Sequence, residues 1–101
     1  MTRLDPDRLL TEKQWQRRLT DAATSLGWRW YHTHNSQRSP AGFPDLVLVR
    51  GPRVIFAELK TENGKVSPHQ TAWLAALTGT TAEVYVWRPS DWTDVPKVLA
   101  R

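Results

Sequence analysis

The stretch GFPDLVLVRGPRVIFAELKTENGK, residues 42–65, decides the fold of this chain. Two valine-rich runs in it flank a Gly-Pro pair, which predicts strands over residues 45–50 and 53–60 joined by a tight turn. Strands joined by so short a connection pair antiparallel. Most of the segment is suited to burial, yet it contains three charged residues, Asp45, Glu58 and Lys60.

The predicted register of this hairpin brings the charged residues together. A turn centred on the Gly-Pro pair puts Asp45 directly opposite Glu58, and Lys60 shares their face because side chains alternate along a strand. Directly opposite residues have Cβ atoms about 4.5–5.5 Å apart. A four-residue loop with the same centre gives the same pairing, whereas a three-residue loop would put Asp45 and Glu58 on opposite faces.

Two facing carboxylates repel each other, and in a half-buried site one of them is expected to take up a proton. A divalent cation would remove the conflict, and hard oxygen ligands suit Mg²⁺ or Mn²⁺. The Lys60 ammonium could then hold an attacking water or stabilise charge on a phosphate. The alternative is a structural ion cluster without a metal.

A first helix is predicted to begin after Thr11, where Gln14 completes a capping box, and to end near Gly27. Glu12 lies three residues before Trp15, on the predicted inward stripe of this helix. It would either interact favourably with the helix dipole or direct a third carboxylate at the metal site.

A second helix is predicted to begin after Ser67, with Pro68 at its first position and Gln70 completing another capping box. Further strands are expected over residues 28–33 and 82–87, and a helical turn could close the tail. The order is helix, three strands, helix, strand. It predicts an α/β fold with a mixed sheet flanked by helices.

The composition of the 101 residues fits a single domain, 1–101, with 40% hydrophobic residues and six tryptophans for a core. The chain has no cysteine, which excludes disulfides and allows a cytoplasmic location. It has no run of about 18 apolar residues, so no segment is expected to span a membrane. The net charge of +4 favours polyanionic partners such as DNA or RNA.

The FPD at residues 43–45 and the ELK at residues 58–60 resemble the signature of the PD-(D/E)xK nucleases. Three further segments, TEKQWQ (11–16), GKVSPHQTAWL (64–74) and VYVWRP (84–89), extend the likeness. Together they resemble the VRR-NUC branch of that superfamily over residues 11–89. The resemblance implies a restriction-endonuclease-like fold, α-β-β-β-α-β, and a metal-dependent DNA endonuclease.

The resemblance also implies roles for individual residues. Asp45, Glu58 and the Leu59 backbone carbonyl match ligands of Mg²⁺, for which Mn²⁺ is a substitute. Lys60 matches the catalytic lysine. Further catalytic positions match Glu12, which would also be a candidate metal ligand, and Gln70.

Stand-alone members of this branch resemble Holliday-junction resolvases, which implies a homodimer that cuts branched DNA in a bacterial or phage setting. The chain is too short for a separate sequence-reading module, which favours recognition of DNA shape and backbone. The candidate phosphate contacts are Arg38, Arg50, Arg53 and Lys65.

Other residues leave alternatives open. His32 and His34 form an H-x-H that could bind zinc, but two further ligands are not evident, and His34 could instead approach the DNA or the site. Resolvase-like nucleases often have a serine in the loop before the Pro-Asp pair. In this chain the matching residue would be Ser36, Ser39 or neither. Trp92 is a candidate partner contact. Alternative functions are a non-catalytic DNA-binding or assembly module, a restriction-type nuclease subunit and a nuclease toxin.

Overall fold

The computed structural model describes residues 9–34 and 38–101. Its elements, in chain order, are α1 (Glu12–Ser25), β1 (Arg29–His32), β2 (Leu46–Arg50), β3 (Arg53–Leu59), α2 (Pro68–Thr78), β4 (Glu83–Trp87), a short 3-10 turn (Pro89–Asp91) and α3 (Val95–Ala100). This order confirms the predicted α-β-β-β-α-β arrangement. It also places a terminal helix where the sequence indicated at most a helical turn.

Both long helices begin at the predicted capping boxes. In α1 the Thr11 hydroxyl accepts from the Gln14 N–H at 3.1 Å, and the Gln14 side chain accepts from the Thr11 N–H at 2.9 Å. In α2 the Ser67 hydroxyl and the Gln70 side chain make the same exchange at 3.2 and 2.8 Å. Each cap satisfies N–H groups that a helix start would otherwise leave unpaired.

The four strands of the described residues form one mixed sheet in the order β1-β2-β3-β4. The first two pairings are antiparallel, and β4 pairs parallel to β3 because α2 carries the chain across between them. Arg50 lies opposite Arg53 and Leu46 opposite Ala57, which confirms the predicted register of the hairpin. Gly51 has a φ of +56°, a conformation that suits glycine in so tight a turn.

One face of the sheet packs against α1 and α3 and forms the core. Trp15 from α1 is fully buried, and its indole N–H donates to the Trp87 carbonyl at 2.9 Å. Trp28, which precedes β1, donates in the same way to the Leu99 carbonyl at 2.9 Å. The strand residues buried in this core are Leu46, Leu48, Ile55, Ala57 and Leu59.

The opposite face is only partly covered. Helix α2 lies over it, although none of the helix residues is fully buried. Phe43 packs edge-on against Trp73 and Phe56, with ring centroids 5.1 and 5.8 Å apart. Tyr31 and Val49 remain exposed there. This open face carries the charged residues described below.

None of the helices in residues 9–34 and 38–101 has an apolar stretch long enough to cross a lipid bilayer.

Candidate active site

The predicted meeting of Asp45 and Glu58 is present in the structure. The register of Leu46 opposite Ala57, continued by one residue, places Asp45 opposite Glu58 at the end of the β2–β3 pair. Asp45 is held from two sides, because its backbone carbonyl accepts from the Thr33 N–H and its Oδ2 accepts from the Leu59 N–H, both at 2.8 Å. These bonds fix the carboxylate beside β3.

Glu58 is the buried charge of the site, with only 1% of its surface exposed. Its Oε1 accepts from the side-chain amide of Gln70 at 3.1 Å and lies 3.7 Å from Lys60 Nζ. Its Oε2 is buried without a hydrogen-bond partner. Burying a charged carboxylate oxygen without a partner costs free energy. A proton or a cation bound to this oxygen would remove that cost.

Burial raises the pKa of Glu58 to about 8, and the facing carboxyl group of Asp45 adds to the rise. Lys60 opposes this shift, whereas the charge of Glu12 adds a smaller increase. Without a cation, these effects favour the protonated form of Glu58 at neutral pH, in line with the proton uptake predicted for one of the two facing carboxylates.

The donor set fits a divalent cation. Asp45 and the unpartnered oxygen of Glu58 supply hard oxygen atoms on one face, and a cation would replace the proton that the pair otherwise holds. The Leu59 carbonyl, between Glu58 and Lys60 in the chain, stays a predicted third ligand.

Glu12 differs from its prediction. It is exposed on the first turn of α1 instead of lying on the inward stripe. Over residues 9–34 and 38–101 there is no group of three or more His, Cys, Asp or Glu side chains that could hold a metal ion, so Glu12 does not form a three-carboxylate cluster with Asp45 and Glu58. Its charge still acts on Glu58, which keeps it at the margin of the site.

Gln70 caps α2 and also faces the site, whereas its predicted catalytic role stays a prediction. Its side-chain oxygen caps α2 while its side-chain nitrogen donates to Glu58. Gly42 makes this approach possible. With a φ of +98°, it lies so close to α2 that an added Cβ would be 2.5 Å from the His69 carbonyl carbon and 2.7 Å from the Gln70 nitrogen.

The loop after Lys60 is held by a residue that the sequence did not single out. The Arg88 guanidinium donates to the carbonyls of Thr61 at 2.8 Å and Gly64 at 2.6 Å, and also to Glu62 at 3.2 Å. The Lys60 N–H donates to the Trp87 carbonyl at 3.1 Å. Arg88 belongs to the VYVWRP segment that extends the family resemblance. The sequence does not show, however, which backbone groups its side chain contacts.

The structure describes three of the four histidines and serines that were considered for the site. The rings of His32 and His34 pack edge-on, with centroids 5.1 Å apart, and they form no zinc cluster within the described chain. Ser36 lies outside the described residues. Ser39 lines a cavity with His34 next to the site. Trp92 packs against Trp15 at 5.9 Å, so part of its ring belongs to the core side of the protein.

Arg50 and Arg53, two of the predicted DNA contacts, make several contacts within the protein. They lie at the hairpin end, five residues or about 16 Å along β2 from Asp45. Arg50 donates to the Leu99 carbonyl at 2.6 Å, and Arg53 makes a two-point pair with Glu83 at 2.7 and 2.8 Å.

Both of these guanidinium groups also lie over the Trp28 ring, at 4.6 and 4.9 Å. Their donors bond acceptors in α3 and β4, and the expectation that they also contact DNA stays a prediction. The other two candidates, Arg38 and Lys65, are exposed in loops on either side of the strand pair.

Comparisons with known proteins agree with the fold and the signature. The family model described as VRR-NUC domain matches residues 7–91. A solved structure described as a VRR_NUC domain is 30% identical in sequence, with a TM-score of 0.69, and the match covers 87% of this chain and 92% of that one. No curated protein matches the chain. The chain has a nuclease-type fold and belongs to the VRR-NUC domain family.

Proposed function

We propose that this protein is a metal-dependent DNA endonuclease that hydrolyses phosphodiester bonds, with branched or junction DNA as its preferred substrate. The observation that carries this proposal is the buried Glu58, which faces Asp45 and lies 3.7 Å from the Lys60 amine. In a family with a nuclease-type fold, this arrangement favours phosphodiester hydrolysis over a structural ion cluster.

Asp45, Glu58 and the Leu59 carbonyl would hold Mg²⁺, or Mn²⁺ as a substitute. When bound, the ion supplies a positive centre that neutralises phosphate charge and makes water a stronger nucleophile. Glu58 must lose its proton to bind it, so the raised pKa of Glu58 makes ion binding pH-dependent.

The protein's own residues perform the remaining tasks. Lys60 is only 15% exposed, so its ammonium acts in a partly dehydrated site, where it can stabilise charge on the phosphate or orient water. Gln70 holds Glu58 through one carboxylate oxygen. In the reaction, a water oxygen attacks phosphorus and releases one proton to solvent, while the bond to the leaving oxygen breaks in line with the attack and that oxygen takes up one proton from solvent.

Recognition would rest on DNA shape and backbone. The net charge of +4 and the exposed Arg38 and Lys65 suit phosphate contacts. A homodimer would give two such sites for two strands of a branched substrate. Homodimerisation and a cytoplasmic bacterial or phage setting remain predictions.

A cleavage assay tests the proposal. Linear, flapped and four-way DNA are incubated with purified protein in Mg²⁺, in Mn²⁺ or in EDTA, and the same set is repeated with Asp45→Asn. We expect products that require the metal and disappear in the variant, with branched DNA cut fastest. Cutting by Asp45→Asn at the wild-type rate would refute the active site, and metal-independent binding without any products would favour the non-catalytic module.

A further inference from the structure

A cavity of about 560 Å³ opens next to the candidate active site. The residues that define this aromatic pocket are Tyr31, Thr33, His34, Ser39, Phe43 and Trp73. Tyr31 pairs with Val47 on β2, so by strand alternation its side chain lies on the same sheet face as Asp45. The aromatic pocket therefore opens on the face that carries the carboxylates.

Two connections tie the pocket to the site. On one side, Thr33 donates its backbone N–H to the Asp45 carbonyl at 2.8 Å, and Phe43 precedes Asp45 by two residues. On the other side, Trp73 follows Gln70 by three residues, nearly one helical turn, and Gln70 bonds Glu58. A DNA strand whose phosphate lies beside the Lys60 ammonium would place a neighbouring nucleotide at this pocket.

The lining suits a flat aromatic ring with polar edges. Tyr31 is 64% exposed although it is part of the pocket lining. Phe43 and Trp73 meet edge-on at 78° and form the apolar wall. Thr33, His34 and Ser39 add polar groups, and the Thr33 hydroxyl is buried without a partner. A mostly apolar hollow with a few polar groups is typical of a ligand site.

We propose that the aromatic pocket binds one unpaired nucleobase of the DNA strand, next to the phosphate that is cut. This inference rests on the proposed function and names its substrate class. Every base has a π-face, so stacking on Tyr31 and Trp73 would tolerate any sequence. A base within a duplex is already paired and stacked and would have to leave the helix first. The pocket thus selects DNA with an unpaired nucleotide at the cleavage position, as at flaps, gaps and branch points where a base pair has opened.

Binding experiments without metal test the pocket independently of cleavage. Wild-type protein, Tyr31→Ala and Tyr31→Phe are titrated in EDTA with flapped DNA and with a fully paired duplex of the same length. Loss of one stacking contact should weaken the binding of Tyr31→Ala to flapped DNA roughly 5- to 150-fold, while Tyr31→Phe keeps the ring and the affinity. Duplex binding should change less than about twofold, which also shows that the variant is folded.

Trp30→Ala is the matched control. Trp30 is also an exposed aromatic residue of β1, but it lies on the other face of the sheet, so its loss should leave binding of both DNAs unchanged. An equal loss in Trp30→Ala and Tyr31→Ala, or no loss in Tyr31→Ala, would overturn the proposal. A change in the association of two copies without a change in DNA affinity would overturn it as well, because the pocket would then be a protein interface.

A second measurement uses the unaltered protein. The fluorescent base 2-aminopurine is placed in the flap, either next to the cleaved phosphate or five nucleotides away. Stacking in the pocket should quench only the nearer probe, and equal signals at both positions would contradict the proposal.

The two proposals can fail separately. If branched DNA is cut although Tyr31 does not affect binding, only the assignment of the pocket is wrong. If binding follows Tyr31 but no DNA is cut, the nuclease proposal fails alone.

Discussion

The Gln70 side chain joins the start of α2 to Glu58. Its oxygen accepts from the Ser67 N–H at 2.8 Å, and its nitrogen donates to Glu58 Oε1 at 3.1 Å. Because both bonds come from one amide group, the cap fixes the direction in which the nitrogen points. The position of the buried carboxylate is therefore coupled to the start of a helix.

Gln70→Ala should lower both stability and cleavage, and Gln14→Ala should lower stability alone. Both residues complete capping boxes, so each variant should lose about 1 kcal/mol in the free energy of unfolding. Only Gln70 also bonds Glu58, so Gln70→Ala should lose a further amount of about 0.5–1.5 kcal/mol, the contribution of one hydrogen bond to a neutral partner. Urea unfolding and cleavage rates measure the two effects. A similar loss of cleavage in both variants would show that Gln70 acts only as a cap.

The metal-free protein should lose stability as the pH rises from about 4.5 towards 8. Glu58 binds its proton more tightly in the folded state, where its pKa is about 8, than in the unfolded chain. Between these values the unfolded chain releases a proton that the folded protein keeps, so the free energy of unfolding falls with pH, by on the order of a few kcal/mol, and levels off above 8.

Urea unfolding in EDTA at several pH values measures this decline. Glu58→Gln keeps the shape of the side chain without the titrating group, so its stability should change much less over the same range. Saturating Mg²⁺ should reduce the decline in the wild type, since an ion that binds the folded, deprotonated site stabilises it. A flat profile for the wild type in EDTA would contradict the assignment of the proton to Glu58.

Gly42→Ala should reduce both stability and cleavage, because the new Cβ would be 2.5–2.7 Å from the backbone of His69 and Gln70. The start of α2 would have to move, and Gln70 would move with it. Gly51→Ala is the matched control, since Gly51 also has a positive φ but has no atom within 4 Å of an added Cβ. We expect Gly51→Ala to lose roughly 1–2 kcal/mol of stability and no activity per folded molecule. Equal cleavage by the two folded variants would show that the position of the α2 start does not affect the active site.

The local and periodic parts of this structure were predictable from the sequence. The Gly51 turn and the alternation of side chains fixed Asp45 opposite Glu58, and two capping boxes located the helix starts. Helix periodicity was less informative for Glu12. It gives the side of a helix, but a residue in the first turn can extend beyond the sheet and remain exposed.

Contacts that depend on distant backbone could not be predicted. The sequence predicts Arg50 and Arg53 beside a turn, where they could contact DNA, but their partners include carbonyls of α3, where the mixed tail sequence indicates at most a helical turn. Arg88 was missed for the same reason, because its acceptors lie 24 to 27 residues earlier in the chain. The pattern of a sequence shows which residues are charged, but not which backbone groups fold back to meet them.

Arg88→Ala should lower kcat by about tenfold and change KM little. The guanidinium holds the loop that follows Lys60, so its loss would leave the amine less well positioned without removing a DNA contact. Arg88→Lys retains a donor and a charge and should recover part of the rate. Steady-state cleavage of a flapped substrate separates the two parameters. A rise in KM at constant kcat would instead indicate that Arg88 contacts DNA.

Arg53→Ala should destabilise the protein without weakening its binding to DNA. The variant loses a two-point pair with Glu83 and the contact with Trp28, which together should reduce the free energy of unfolding by roughly 2–3 kcal/mol. Arg53 also holds the pKa of Glu83 below its ordinary value, so the part of this stability that comes from ionised Glu83 is lost at acid pH.

Lys65→Ala provides the comparison for Arg53→Ala, since Lys65 is exposed beside the site. Its loss should leave stability unchanged but weaken binding and reduce the slope of log affinity against log salt by about 0.9, the value for one phosphate contact. Salt-dependent titrations of both variants with the same duplex measure this. A reduced salt slope in Arg53→Ala would show that Arg53 contacts a DNA phosphate. An unchanged slope in Lys65→Ala would show that Lys65 does not.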